Sequence, residues 1–205
     1  MINKIIYALM LGSMLFTCCD DEPFNDDNNR VTGTGDMTTE SVTVAEFEAI
    51  DLEGVANVII HTGMQQSVKL TTYENLHEYY EFHVVGDELM VRIKDGIRIN
   101  SDEEIQLDIS VNYLEKITLS GVGNFSMQGK PQDNLDIQLS GVGNVEAFDL
   151  PVKFGNIHIE GTGNVYINAS ETLDVDIDGM GNVYYKNSPD INQDINGLGE
   201  LIQVD

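Results

Sequence analysis

The chain has 205 residues, and 41% of them are hydrophobic, which is enough material to bury a continuous core. It carries 35 acidic residues against 10 lysines and arginines, for a formal charge of −25 at pH 7. A polyanion repels both nucleic acid and anionic lipid. The charge therefore argues against nucleic-acid binding and leaves cations, cationic partners or simple solubility.

Residues 1–17 are predicted to be a lipoprotein signal peptide. Their apolar run, "IIYALMLGSMLF", is too short to cross a bilayer as a helix. The following "LFTCC" resembles a bacterial lipobox, with Leu15 at −3, Thr17 at −1 and Cys18 as the acylated residue; Cys19 is the alternative site. The resemblance implies a membrane anchor of several acyl chains. An ordinary secretory signal with two incidental thiols is the alternative, and no cysteine remains for a structural disulfide.

Residues 18–40 are predicted to form the lipidated N-terminus and a flexible acidic tether. The stretch "DDEPFNDDNNRVTGTGDMTTE" contains seven acids and one arginine, so it repels itself and lacks apolar residues for a core. An acidic stretch directly after the lipidated cysteine resembles the surface-export signal of lipoproteins in Bacteroidetes-type bacteria. This implies an outer-membrane lipoprotein exposed at the cell surface, with the periplasmic face as the alternative.

Residues 41–205 are expected to form a single β-solenoid domain, with 41–116 as its irregular first coils. Segments such as "SVTV", "VIIHT" and "ELMVRIK" alternate or run apolar between turn residues, as strands do. A separate small β-domain in this region is the alternative. Only "NLHEYYEF" is compatible with a helical turn.

Residues 117–205 repeat a G-x-G-N motif whose first glycines are 20, 20, 18 and 18 residues apart. Self-similarity at such a period indicates a solenoid, in which each unit is one coil. A degenerate sixth copy, "IDLEGVANV", covers Ile50–Val58, and Glu200 replaces the asparagine of the last copy. The predicted structural corners are Gly121, Gly123, Asn124, Gly141, Gly143, Asn144, Gly161, Gly163, Asn164, Gly179, Gly181, Asn182, Gly197 and Gly199.

The residues flanking each corner alternate strictly between apolar and polar. Ile137 and Leu139, for example, are separated by Gln138, a pattern typical of a strand with one buried face. A coil is therefore a strand, a tight corner, a second strand and a variable return. We predict an all-β fold, a right-handed parallel β-helix with coils of about 18–20 residues. An open antiparallel sandwich is the alternative.

The corner motif itself is predicted to be structural. Glycine tolerates positive φ at a bend, and stacked asparagines about 4.8 Å apart can hydrogen-bond along the coil axis. A phosphate loop is disfavoured because the motif leads into a strand instead of a helix. A calcium-binding β-roll is disfavoured because its period is about nine residues and its turn carries aspartate.

A family resemblance accompanies these motifs. "FEAIDLEGVANVIIHTG", followed by serial "SGVGNV" corners behind a lipoprotein signal, resembles the family described as putative auto-transporter adhesin, head GIN domain, over about Phe47–Val204. The resemblance implies a right-handed β-helix on a secreted or surface lipoprotein. It assigns no catalytic residues, so none is carried over.

The predicted function is that of a cell-surface lipoprotein whose rigid β-solenoid serves adhesion or ligand binding at the envelope, without catalysis and without a cofactor. Its expected partners are the membrane, through the lipid anchor, and an unidentified protein or glycan. One alternative is a surface glycan-active enzyme using Asp174, Asp176 and Asp178 as acid pairs. The other is a structural or sensory envelope component.

Two further sets of residues are candidates for binding. The four histidines are scattered, and no metal site is predicted; a divalent cation, if bound, would use oxygen ligands from Asp174, Asp176, Asp178 and Asp194. Tyr166 and Tyr184 project outward from equivalent positions and could stack a sugar or peptide, although a supporting cross-coil pair is favoured. The unpaired edge of the last coil predicts self-association or cover by the N-terminal strands.

Overall fold

The computed structural model describes residues 29–204. The predicted signal peptide and the candidate lipidation sites Cys18 and Cys19 lie outside the described residues. Within residues 29–204 the only regular helix besides short turns is a 3-10 helix at Glu74–Tyr79, and no helix there is long and apolar enough to cross a bilayer. The all-β class is therefore confirmed. The strands are β1 Arg30–Thr32, β2 Met37–Val42, β3 Ala49–Leu52, β4 Asn57–Thr62, β5 Ser67–Tyr73, β6 Tyr80–Val85, β7 Glu88–Ile93, β8 Arg98–Asn100, β9 Gln106–Val111, β10 Lys116–Leu119, β11 Phe125–Gly129, β12 Gln132–Leu139, β13 Val145–Ile159, β14 Val165–Ile177, β15 Val183–Lys186, β16 Asp190–Ile195 and β17 Leu201–Gln203.

Most strands pair in parallel with the strand one coil away. One wall runs β7, β3, β10, β12, the second half of β13, the second half of β14 and β16. The facing wall runs β9, β4, β11, the first half of β13, the first half of β14, β15 and β17. Equivalent residues of successive coils are register partners, as in Ile117, Ile137, Ile157 and Val175. The two walls meet at the G-x-G-N corners.

The space between the walls is filled by the alternating apolar residues. Ile117, Ile137 and Ile157 are completely buried, and one buried cluster extends from Phe47 to Tyr185. Because each strand contributes only every second residue, the polar residues between them face solvent. Truncating one of these isoleucines to alanine typically costs about 2–5 kcal/mol of stability, so the columns account for much of the cohesion between coils.

The sheet is mixed, and here the expectation of parallel coils throughout is wrong. β2 pairs with β5, β5 with β9, and β6 with β7, all antiparallel. The β6–β7 pair is a hairpin whose turn contains Gly86 with φ +69°, a conformation that two-residue hairpin turns require. β1 pairs only with β8, in a separate two-stranded sheet.

The coils are also not stacked in chain order. The coil formed by β3 and β4 lies between β7 and β9 on one side and β10 and β11 on the other. The degenerate copy at Ile50–Val58 is thus the direct neighbour of the coil with Gly121, and Val55 bridges Val122. The segment between them in sequence forms the next layer and the antiparallel strands. The described N-terminal strands pair with β5 and β8, so they do not cover β16 and β17.

Candidate interaction surfaces

An asparagine ladder follows the corners along the stack. The backbone N and Nδ2 of Asn124 donate to Oδ1 of Asn57 over 3.1 and 3.0 Å. The same two bonds connect Asn144 to Asn124, at 2.9 and 3.2 Å, and Asn164 to Asn144, at 3.0 and 3.4 Å. Each side-chain oxygen therefore satisfies a backbone N–H of the next corner as well as an amide.

The ladder closes at Glu200. The backbone N of Asn182 donates to Oδ1 of Asn164, and the backbone N of Glu200 donates to Oδ1 of Asn182, both over 2.9 Å. A carboxylate has no N–H with which to donate from its side chain. Nδ2 of Asn182 donates to the hydroxyl of Tyr184 over 3.3 Å, so the side-chain half of the ladder ends at Asn164 and only the backbone half continues to Glu200.

The glycines are required by the close approach of successive corners. A Cβ on Gly141 would overlap the carbonyl oxygen of Gly121, and a Cβ on Gly143 would overlap that of Gly123. The φ of Gly143 is +152°, a backbone conformation that other residues rarely adopt, so the positive φ expected from sequence and the close approach both require glycine there. The backbones of neighbouring corners are in contact, which leaves no room for a ligand between them.

The x residue of each G-x-G-N copy points to solvent and bridges its equivalent in the next coil. Met180 and Leu198 are 52% and 73% exposed, and Val122 and Val142 are 50% and 53% exposed. These side chains form a continuous line along the corner, about 24 Å long at roughly 4.8 Å per step. We call it the apolar ridge; its members are Val55, Val122, Val142, Thr162, Met180 and Leu198.

Sequence reasoning missed the apolar ridge. The sequence contains a signal for it: the x position is apolar in five of the six copies of the motif. An exposed corner position does not need an apolar residue for the fold. Scattered exposed hydrophobic residues are normal on a protein surface, but a contiguous line of them marks an interaction surface. The pattern becomes informative only once the structure shows that x faces outward.

A groove of about 480 Å³ lies beside the ridge, at the end formed by the degenerate copy. Val55, Val122, Ile99 and Ile105 contribute apolar residues to its lining. Glu103 and Glu104 also line it; the groove thus combines an apolar floor with negative charge.

The two candidate tyrosines stack on each other. The ring centroids of Tyr166 and Tyr184 are 4.8 Å apart at an interplanar angle of 9°, and Phe148 meets Tyr166 edge-on at 5.4 Å. Nζ of Lys186 lies 4.5 Å from the centroid of the Phe148 ring. Burial, together with the charge of Glu146 and the neighbouring Tyr184, raises the pKa of Tyr166. The facing ring surfaces are occupied by each other, so no sugar can stack between them.

The four candidate aspartates do not converge on one point. Asp174 lines a shallow groove of about 470 Å³ on the outer face of the β10–β14 wall, together with the 42%-exposed Phe154. Asp176 faces His158 on the neighbouring strand, and Asp178 accepts a 3.3 Å hydrogen bond from Asn196. Asp194 is the register partner of Asp176 on β16. Asp176 and Asp178 thus lie close to each other and to His158, whereas Asp174 lines the groove and Asp194 belongs to the next coil.

The family assignment comes from the sequence. The family model described as putative auto-transporter adhesin, head GIN domain, matches residues 46–133 and again residues 96–189. The chain belongs to this family. The two overlapping matches cover most of both walls and end before β16, β17 and the last copy of the corner motif. No curated protein matches the chain.

Solved structures resemble the chain at low sequence identity. A putative adhesin from Bacteroides fragilis has a TM-score of 0.61 and 21% identity, covering 85% of this chain and 100% of its own. A putative adhesin from Parabacteroides merdae has a TM-score of 0.44 and 20% identity, covering 86% of this chain and 100% of its own. The likeness to the Bacteroides fragilis protein indicates that the two chains share a fold.

Proposed function

We propose that the chain is a non-catalytic adhesion module at the bacterial cell surface, which binds a protein partner through the apolar ridge. In this proposal an outer-membrane anchor at Cys18, or at Cys19, and the acidic residues between that anchor and β1 hold the module away from the membrane. The tether is shorter than the residues 18–40 expected from sequence, because β1 and the start of β2 lie within that range. The parallel registers of the two walls support a right-handed β-helix, the hand preferred for parallel crossovers. The apolar ridge is the observation that carries the proposal.

Burial of the ridge would stabilise a complex at little conformational cost. Fully burying a valine, leucine or methionine side chain contributes about 1.5–3 kcal/mol. The ridge side chains are already partly buried, so covering their exposed part in a complex contributes a fraction of that. The corners are fixed by backbone contacts and by the asparagine ladder, so a partner need not order them. A partner that brings apolar side chains and basic residues would match the ridge and the neighbouring Glu103 and Glu104.

The experiment compares binding of the full-length chain and its variants to panels of immobilised extracellular and envelope proteins and of immobilised polysaccharides. Val122, Val142 and Leu198 are replaced together by threonine, the residue that already occupies the ridge at Thr162. The matched control is Val85→Thr, because Val85 is 64% exposed and lies outside the ridge.

We expect retention on a protein of the panel, at least tenfold weaker binding by the triple variant, and unchanged binding by Val85→Thr. Equal binding by the triple variant and the control would overturn the proposal. So would binding confined to the polysaccharide panel.

Polysaccharide binding is the second candidate, favoured by the groove around Phe154. Its lining combines an exposed aromatic ring with Asn134, Asn156, Asp136 and Thr172, and Nδ2 of Asn156 donates to Oδ1 of Asp136 over 3.3 Å. Amide, hydroxyl and carboxylate groups beside an aromatic ring suit a polyhydroxylated ligand. Phe154→Ala would then abolish retention on polysaccharide. Product release by the wild type that is lost in Asp176→Ala would instead identify a glycan-active enzyme.

A further inference from the structure

A second kind of site lies on the outer face of the β13–β14 pair. His158 and Asp176 are register partners, and Glu160 and Asp178 stand two residues further along the chain, each one residue past the end of its strand. We call these four residues the histidine cluster. Side chains two residues apart on a strand share a face, so the four point outward together.

The imidazole of His158 lies between carboxylates. Its Nε2 is 3.2 Å from Oε1 of Glu160, and its Nδ1 is 3.4 Å from Oδ2 of Asp176. Partial burial works to lower the pKa of His158, but the hydrogen bond to Glu160 and the charges of Asp176, Glu160 and Asp178 outweigh it. The pKa therefore lies above its ordinary value of 6.5, and the surroundings stabilise positive charge at or beside the ring.

Three of these residues can reach a common point. Ligand atoms of His158, Asp176 and Asp178 all lie within 4.8 Å of one another. Ligands of a tetrahedral zinc ion stand about 2.0–2.2 Å from the metal, and so about 3.4 Å from each other. The side chains of Asp176 and Asp178 are half-buried and exposed, so small rotations can close the difference.

We infer that the histidine cluster binds a divalent transition-metal ion such as Zn²⁺. Nδ1 of His158 and one carboxylate oxygen each from Asp176 and Asp178 are the ligands, and water completes the coordination. Glu160 is a positioning residue, because a carboxylate that accepts the other ring N–H fixes the tautomer and orientation of a metal-binding histidine. The site connects two neighbouring coils through their side chains.

The imidazole distinguishes this place from the other acids of the same wall. One coil before His158 and Glu160, the equivalent positions are held by Gln138 and Ser140. One coil after Asp176 and Asp178, they are held by Asp194 and Asn196. Calcium prefers six to eight oxygen ligands, whereas zinc and neighbouring metals accept imidazole with carboxylates. The inferred ligand set therefore differs from the four aspartates considered from sequence.

The test is calorimetric titration of the untagged full-length chain with Zn²⁺ and, separately, with Ca²⁺. Cys18 and Cys19 are alkylated beforehand so that their thiols do not bind the metal. We expect one Zn²⁺ per chain and an affinity that rises with pH as His158 loses its proton. His158→Gln and Asp176→Asn should each weaken binding at least tenfold, and Glu160→Gln by about 10-fold through lost positioning.

His83→Gln is the matched control. His83 also lies near a carboxylate, with its Nε2 3.9 Å from Oε2 of Glu81 on the same strand. The register partners of that pair are Met90 and Arg92, so the neighbouring strand supplies no carboxylate there. It should leave Zn²⁺ binding unchanged. Unaltered affinity in His158→Gln, a wild type that does not saturate below millimolar Zn²⁺, or Ca²⁺ binding insensitive to His158→Gln would overturn the inference. If a variant does not fold, broadening of the His158 imidazole signals of the wild type by Ni²⁺, with those of His83 unaffected, decides the question.

Discussion

Replacing Gly141 by alanine tests the contact between successive corners. The new Cβ would occupy the position of the carbonyl oxygen of Gly121, which is backbone and cannot rotate away. The two corners must then separate. Because the contact is steric, the cost does not depend on whether alanine tolerates the φ of Gly141.

The magnitude follows from the bonds that separation would break. The backbone N of Gly141 donates to the carbonyl of Leu119 over 2.7 Å, and that of Val142 donates to the carbonyl of Gly121 over 3.0 Å. Ser140 donates to Leu119 as well, over 3.0 Å. Each such bond contributes about 1 kcal/mol net, so the loss should be about 3 kcal/mol.

Urea unfolding followed by circular dichroism measures this loss. With a slope of about 2 kcal/mol per molar urea, the midpoint should fall by about 1.5 M. Gly86→Ala is the control: no atom lies within 4 Å of its Cβ and its φ is +69°, so only the left-handed backbone is penalised, by about 1–2 kcal/mol. A midpoint for Gly141→Ala at or above that of Gly86→Ala would refute the steric reasoning.

Three other predictions concern the ladder, the histidine and the stack edge. Asn144→Ala removes three side-chain hydrogen bonds and should lower the free energy of unfolding by about 2 kcal/mol. Asn144→Asp keeps the side-chain oxygen that accepts from Asn164 and should lower it by less. Urea midpoints measure both differences. Because the folded-state pKa of His158 is raised, its contribution to stability is complete below pH 6.5 and is lost as pH rises through the raised pKa. In melts at stepped pH, the wild type should therefore lose stability relative to His158→Gln as the pH rises from 6.5 through that pKa. Among residues 29–204, β16 and β17 each pair with a single strand, which leaves an open sheet edge that a second copy can pair with. Sedimentation of the chain without its predicted signal peptide should therefore show dimers. Monomers alone would contradict self-association.

The strand columns were predictable because period-two alternation survives in every regular coil. Ile137 and Leu139 are buried while Gln138 lies between them on the surface. The asparagine ladder was predictable in outline because stacked corners place identical side chains about 4.8 Å apart. Its bond from each backbone N–H to the preceding Oδ1 depends on local backbone geometry that the sequence does not specify.

Other features required the structure. The Gly86 turn between two alternating segments is a hairpin signal, and its neglect led to the expectation of parallel strands there. His158 and Asp176 are 18 residues apart, the spacing of the later coils, as are Glu160 and Asp178. The histidine cluster becomes visible only when His158 is placed beside the acids of the next coil, because its imidazole is isolated among the histidines of the sequence.

The layer built from Ala49–Leu52 and Asn57–Thr62 has consequences for the order of folding. Both of its neighbours come later in the chain, and Asn57 finds Asn124 across 67 residues. Closing such a loop costs about 1 kcal/mol more than closing one of 20 residues. A chain delivered N-terminus first must therefore keep Ile50 and Leu52 uncovered until its middle arrives, whereas the later coils can add one by one. This early layer is therefore expected to form most slowly and to be the part of the molecule most exposed to aggregation.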